Sequence, residues 1–195
     1  FGNDVLLDYL NKIVLPAFLN PSLLRKYGNT EYLLLDVKLV NWKSSQGPDE
    51  YTPALIGKFV MDTELRRNQI LVDGKIVPDR KKIKSSPSSL FVLLLDNHKL
   101  IYSKQVPGAP GLLAFRTTIE LFLKTCRNEY IKERLSANKA ARILDLKIPK
   151  ITKRTLVDSI QSPSLEIVPI ASRRNLTSLV NQFKILKEID IKVVR

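Results

Sequence analysis

The feature that most constrains the fold is a continuous apolar stripe in the segment 111–135. Its members recur at three- and four-residue spacing and are Leu112, Phe115, Ile119, Phe122, Leu123, Cys126, Tyr130 and Ile131. This spacing places all of them on one face of an α-helix. The opposite face is charged, at offsets that permit ion pairs along the helix. The apolar side of this helix must therefore pack on another element.

The residues before this helix show the patterns typical of strands. Strands are predicted over 31–42, 54–63, 69–77, 90–95 and 99–104. Asp73-Gly74 predicts a tight turn inside the third of these segments, and Asp96-Asn97-His98 predicts the turn of a hairpin. The run 90–95 is apolar on both faces, which favours a central strand. These strands predict an antiparallel meander with the long helix packed across it, which is an α+β fold.

Three regions are predicted along the chain. Residues 1–135 form the antiparallel α+β domain, which begins with a helix over 4–27. Residues 136–164 lack clear periodicity and are interpreted as a basic linker or an exposed strand. Residues 165–195 read as strand, helix and strand, the first over 165–170, and are the start of a second small α/β unit. We expect this unit to be truncated and the chain to belong to a larger protein or complex.

The charge of the chain is concentrated in two segments. The 195 residues carry a formal net charge of +13. Residues 75–84 contribute +4 of it and residues 132–154 contribute +6. Concentrated cations suit a polyanion, because each neutralised phosphate releases counterions. The alternative is that both segments are solvated loops whose charge only maintains solubility. Residues 78–89, which hold much of the first segment, are predicted to be a serine-rich loop.

Few residues are available for catalysis. His98 is the one histidine and falls in a predicted turn, where an exposed turn former is expected. Cys126 is the one cysteine and lies on the apolar stripe, so burial explains it better than nucleophilic chemistry. A single cysteine also excludes an internal disulfide and a cysteine zinc cluster. We expect neither a metal nor a cofactor.

Two further features of the sequence could support a binding or catalytic site. The segment 105–111, QVPGAPG, precedes the long helix and lacks the spacing of a phosphate-binding loop, although the helix start with Arg116 nearby would suit an anion. A plain loop is the alternative. Five carboxylates on or beside predicted strands make a nuclease metal cluster geometrically conceivable, but no nuclease spacing singles them out: Asp36, Asp62, Glu64, Asp73 and Asp96.

Aromatic residues give incomplete support for base stacking. Only 7% of the chain is aromatic. Trp42, Tyr51 and Tyr102 are the candidates for exposure, and capping of the core is the alternative for each. Without a recognisable base-reading motif, affinity is expected to rest on backbone contacts.

The leading hypothesis is a nucleic-acid-binding module, for RNA rather than DNA, within a larger protein or complex. The small α+β sandwich is an architecture that many RNA-handling proteins share, which is analogy and not evidence of function. The residues predicted to contact phosphate are Arg80, Lys81, Lys82, Lys84, Lys139, Arg142, Lys150, Lys153, Arg154, Arg173 and Arg174. One alternative is a nuclease or toxin-like ribonuclease whose catalytic residues are unidentified or outside this segment. Another is a subunit that docks an acidic protein partner.

Cellular location is constrained only indirectly. No apolar run approaches the roughly 18 residues needed to cross a bilayer, so no membrane partner is expected. The single cysteine favours a reducing compartment, and the cytoplasm is the default expectation.

Overall fold

A computed structural model of the chain describes residues 9–43, 51–96, 98–145 and 147–168. A short π-helical turn, Leu10–Val14, leads into helix α1, Leu15–Leu19. The strands follow as β1 Leu24–Tyr27, β2 Thr30–Lys43, β3 Tyr51–Arg66, β4 Gln69–Val72, β5 Lys75–Pro78, β6 Lys82–Ser85, β7 Ser88–Leu94 and β8 Leu100–Lys104. Helices α2, Leu112–Leu144, and α3, Lys153–Ser159, complete the described elements.

The main sheet is antiparallel with strand order β1-β2-β3-β7-β8. β6 pairs with the outer end of β3, and β4 and β5 pair with each other. The predicted α+β class, with an antiparallel meander covered by a long helix, is confirmed. β7 lies between β3 and β8, which confirms the prediction that the apolar run 90–95 is a central strand.

Helix α2 packs on the sheet through its predicted stripe. Phe115 lies at the centre, with ring centroids 5.4 Å from Phe59, 5.2 Å from Phe91 and 5.3 Å from Tyr102. Further along the same face, these side chains are also buried: Ile119, Phe122, Leu123, Cys126 and Ile131. One helix thereby covers three adjacent strands, which fixes the orientation of the sheet beneath it.

The N-terminal helix is shorter than predicted. α1 starts with Pro16 in its first turn, where a missing backbone N–H costs nothing, and it ends at Leu19. Residues 24–27 form β1 instead of continuing the predicted helix, because their backbone pairs with β2 from Leu24 opposite Leu33 to Tyr27 opposite Thr30. The predicted helix start at residues 4–8 lies outside the described residues.

A bulge in the sheet requires glycine at position 57. The pairing of β2 with β3 shifts by one residue between Leu35 and Lys38. A Cβ atom on Gly57 would lie 2.8 Å from Cγ2 of Val37 and 3.1 Å from the ring of Phe91. Only glycine lets the bulged strand and the Phe91 ring approach this closely.

The predicted linker or exposed strand over 136–164 is wrong for much of its length. α2 continues to Leu144, and α3 occupies Lys153–Ser159. The segment 136–144 is rich in alanine and straight-chain residues, which favour helix without forming an apolar stripe. Thr152 caps α3 by accepting a hydrogen bond from the Thr155 amide at 3.2 Å.

The predicted loop over 78–89 is also largely strand, because β6 and the start of β7 hydrogen-bond to β3 whatever the polarity of their side chains. Residues 165–168 form no strand, although Leu165 and Ile167 pack against the core. The remainder of the predicted second unit, 169–195, lies outside the described residues, and the proposed domain boundaries stay predictions.

Candidate nucleic-acid interface

A two-stranded arm, residues 63–85, extends beyond the main sheet. β7 and β6 pair with β3 in one unbroken register, from Val60 opposite Ser88 to Arg66 opposite Lys82. β2 pairs with β3 no further out than Asp62. From residue 63 outward, the two strands of the arm therefore pair only with each other in the described part of the structure.

The arm ends in the predicted tight turn. β4 and β5 form its last ladder, and Val72 lies opposite Lys75. The two residues between them, Asp73 and Gly74, have φ of 48° and 75°, as the type I′ turn of a two-residue hairpin requires. Ten residues separate the start of the arm from this turn. At 3.3 Å per residue the arm is about 30 Å long.

A charge pair holds a bulge in the middle of the arm. The Arg67 amide donates to the Lys81 carbonyl and the Asp79 amide to the Asn68 carbonyl, which leaves Asp79 and Arg80 opposite one residue. The Arg67 guanidinium pairs with the Asp79 carboxylate, which also accepts the Lys81 amide at 3.1 Å. Desolvation raises the pKa of Asp79, but these hydrogen bonds outweigh it and hold the pKa below its usual value.

The positive charge lies in the half of the arm nearer the sheet. We call residues 63–68 and 79–85 the stem and residues 69–78 the tip. The stem has six cationic and two acidic residues, whereas the tip has one of each. Both stem acids are paired, Asp79 with Arg67 and Glu64 with Lys82 at 3.0 Å. Among the described residues, these cations make no ion pair: Arg66, Lys75, Arg80, Lys81 and Lys84.

The four predicted contact residues of the first segment all lie in this stem and are exposed: Arg80, Lys81, Lys82 and Lys84. Strand pairing adds two that sequence reasoning missed, Arg66 and Arg67. Arg66 is directly opposite Lys82, and Glu64 is directly opposite Lys84. Folding the sequence about the predicted Asp73-Gly74 turn would have brought these residues together.

The tip is apolar on both of its faces. Leu71 and Ile76 form a cross-strand pair and are 73% and 67% exposed. Val72 and Val77 point to the opposite face and are 43% and 40% exposed. An isolated two-stranded hairpin is marginally stable in water. A partner that buried the exposed aliphatic side chains of the tip would therefore stabilise it.

The second basic segment forms a separate cluster at the end of α2. Asn138 donates to the Pro149 carbonyl at 3.1 Å and accepts the Ile151 amide at 2.9 Å. Arg142 donates from Nε to the Ile148 carbonyl at 3.1 Å. These bonds bind the returning loop to the helix and bring Lys150 beside the last turns, where Lys139 lies. Arg142 is half-buried. Its side chain stabilises the returning loop and also adds to the positive charge of the cluster.

Lys153 and Arg154 begin α3, two and three residues after the Ile151 amide that binds Asn138. A buried arginine holds that helix: Arg127 Nε donates to the Ile160 carbonyl at 2.7 Å, and Nη2 donates to the Val157 carbonyl at 3.1 Å. A cation at a helix C-terminus also interacts favourably with the helix dipole. Arg154 lies 3.8 Å from Asp158, so its charge is partly compensated.

The structure gathers each basic segment but does not join the two. No hydrogen bond or ion pair between described residues links the arm to the α2 cluster. Arg173 and Arg174, the remaining predicted contacts, lie outside the described residues. The arm and the α2 cluster are therefore two separate candidate contact surfaces.

The three aromatic candidates for exposure differ in their surroundings. Tyr102 is not a stacking platform, because it packs on Phe115 and donates to the Pro110 carbonyl at 2.6 Å. Burial raises its pKa to about 12. Tyr51 is exposed, and the side chain of Trp42 lies outside the described part of the structure. Tyr27 is an exposed aromatic that sequence reasoning missed, with the Arg25 guanidinium 5.7 Å from its ring.

The segment 105–111 is a structural support for the start of α2. The Ser89 hydroxyl donates to the Pro110 carbonyl at 2.9 Å, beside the bond from Tyr102. Lys104 Nζ lies near Gly111, the residue that precedes the helix. Arg116 Nε is buried without a hydrogen-bond partner among the described residues. The hydroxyls of Ser89 and Tyr102 thus hold the loop in place through the Pro110 carbonyl.

The histidine and the cysteine considered as catalytic candidates lie in a turn and in the core, respectively. His98 is exposed, with a positive φ of 55°, and occupies the turn between β7 and β8. Cys126 is buried in the core, and burial together with Glu129 raises its pKa to about 11. A thiol in that state is a poor nucleophile at neutral pH.

The carboxylates weighed for a metal cluster are dispersed. Asp36 pairs with Lys58 at 2.9 Å, which holds the pKa of Asp36 below its usual value. Asp62 accepts a hydrogen bond from Ser86 at 2.7 Å, and Asp96 accepts one from Thr52 at 3.1 Å. Within the described ranges, no three histidine, cysteine, aspartate or glutamate residues are grouped so that they could hold a metal ion.

Comparison of the chain with protein-family models, characterised proteins and solved structures found no significant match. None of the described helices is long and apolar enough to span a membrane.

Proposed function

We propose that the chain is a nucleic-acid-binding module that acts mainly through contacts to the phosphate backbone. The observation that carries this proposal is the stem of the arm, a short ribbon with four exposed cations that make no ion pair: Arg66, Arg80, Lys81 and Lys84. The strand register places Arg66 and Lys84 on one face of this ribbon and Lys81 on the other. Cations in such a cluster can neutralise several phosphates at once and release their counterions.

RNA is the proposed form of nucleic acid, within a larger assembly. The support is architectural analogy, since antiparallel sheets covered by helices recur in RNA-binding modules. The α2 cluster, with Lys139, Lys150 and Lys153, offers a second surface for the same polyanion. Backbone contacts from two surfaces would give affinity with little sequence readout.

Fluorescence anisotropy with labelled RNA and DNA of one sequence, measured over a salt series, tests this function. We expect the affinity to fall steeply as salt rises and to be higher for RNA. Affinity that is independent of salt would contradict the electrostatic mechanism. An acidic protein partner would instead be indicated if polyglutamate displaced the labelled RNA as effectively as unlabelled RNA does.

The same incubations report on catalysis. Nuclease activity is the second hypothesis from the sequence, and no described residue group favours it. Gel analysis of the RNA after incubation, with and without EDTA, should show intact RNA in both cases. Cleavage at a rate that follows the protein through purification would reverse this ranking.

A further inference from the structure

The net charge of the arm lies in its stem, and most of its exposed apolar surface lies in its tip, although the stem also has one exposed aliphatic pair, Leu65 opposite Ile83. The stem nearer the sheet has a net charge of +4, while the tip is neutral and contains five aliphatic residues: Ile70, Leu71, Val72, Ile76 and Val77. A partner that meets the tip first and the stem second must therefore have an apolar interior and an anionic rim.

The tip also limits the shape of that partner. Leu71 and Ile76 are exposed on one face of the ribbon, and Val72 and Val77 are exposed on the other. A flat surface would cover only one of these faces. Both faces are covered only by a partner that surrounds the ribbon, which means a cleft at least as deep as the ten-residue tip hairpin.

We infer that the arm enters a cleft of a folded RNA tip first, so that the tip contacts bases and the stem contacts the phosphates at the rim. Folded RNA has phosphates along its surface and unstacked bases in its loops and bulges, and apolar side chains can insert between bases. This inference rests on the proposed function, whose charge argument it extends to the geometry of the complex. The narrow major groove of an A-form duplex would not admit the ribbon, so a regular duplex is not the expected site.

The test compares two double variants on three RNA probes. Leu71→Ser/Ile76→Ser changes the tip, and Lys81→Gln/Lys84→Gln changes the stem. All four side chains are exposed, so neither variant removes a core contact. The probes are bulk transfer RNA as a folded RNA, poly(U) as a single strand and a regular 20-base-pair RNA duplex.

The tip variant should bind transfer RNA about tenfold or more weakly, because two aliphatic side chains lose their burial. Its affinity for poly(U) and for the duplex should stay within twofold of wild type. The stem variant should lose affinity for all three probes and show a shallower salt dependence. This pattern separates contacts that the tip makes inside a cleft of folded RNA from contacts that the stem makes to phosphate.

Three outcomes would overturn the inference. If the tip variant binds transfer RNA as tightly as wild type, the tip does not enter the RNA, although the proposed function survives. If wild-type protein self-associates in sedimentation without RNA and the tip variant is monomeric, the tip is a contact between copies of the chain. If wild-type protein binds none of the probes, the proposed function fails and the inference fails with it.

Discussion

Arg127 is predicted to be the residue on which the attachment of α3 depends most. It is only 7% exposed, and its guanidinium donates to the carbonyls of Val157 and Ile160 at the end of that helix. Replacement with methionine keeps most of the apolar stem but leaves these acceptors without a donor. An unsatisfied buried acceptor costs about 1–3 kcal/mol, and the lost interaction with the helix dipole adds up to about 1 kcal/mol.

Arg127→Met should therefore lower the free energy of unfolding by about 3 kcal/mol. Urea unfolding followed by circular dichroism measures it, and the midpoint should fall by more than about 1 M. Arg134→Met is the matched control, because Arg134 is exposed on the same helix and has no described hydrogen bond or ion pair. The control should stay within about 0.5 kcal/mol of wild type.

Equal midpoints for the two variants would refute this reasoning. Such a result would mean that water replaces the guanidinium at the end of α3 without cost. The outcome matters for the α2 cluster, since Lys153 and Arg154 lie on α3 and are held in place only as long as that helix is docked.

Three further predictions concern single positions. Gly57→Ala should lower the free energy of unfolding by about 1–3 kcal/mol, because the alanine Cβ would collide with Val37. The same urea titration measures this change, and an unchanged midpoint would show that the bulge can relax. Cys126 should not react with Ellman's reagent in the native protein and should react after denaturation, because burial raises its pKa; rapid native reaction would contradict the packing of α2. The pKa of Asp79 is lowered in the folded state, so its contribution to arm stability is present above the ordinary value near 4 and is lost as the pH falls through the lower, folded value. The dispersion of amide signals from the arm in NMR spectra should shrink on acidification, and Asp79→Asn should reduce it already at pH 6; unchanged dispersion in both cases would exclude the Arg67 pair as a support of the bulge.

The sequence predicted best where side-chain periodicity and packing coincide. The stripe from Phe115 to Ile131 is apolar because it faces the sheet, so the pattern and the buried face are the same residues. The prediction was wrong where helix or strand forms without an apolar pattern. Residues 136–144 are helical through propensity and through the bonds of Asn138 and Arg142 to the returning loop.

The candidate site shows the same division. The basic run containing Lys81 and Lys84 was visible in the sequence, but its shape depends on pairing with β3. That pairing adds Arg66 and Arg67, which lie 14 to 18 residues earlier in the chain. The separation of a charged stem from an apolar tip follows from the hairpin register. Periodicity within a single strand does not reveal this separation, because the stem and the tip each consist of residues from two strands that run in opposite directions.

The most direct test of phosphate binding by the arm is the salt dependence of RNA affinity for three proteins. These are the wild type, Lys81→Gln/Lys84→Gln in the stem, and Lys12→Gln/Lys38→Gln, which removes the same charge from exposed positions outside the arm. Each phosphate contact contributes about 0.7 to the slope of log affinity against log salt for a single strand. The stem variant should therefore reduce the slope by about 1.4, and the control variant should leave it unchanged. Equal slopes for all three proteins would contradict the assignment of the arm as the phosphate-binding surface.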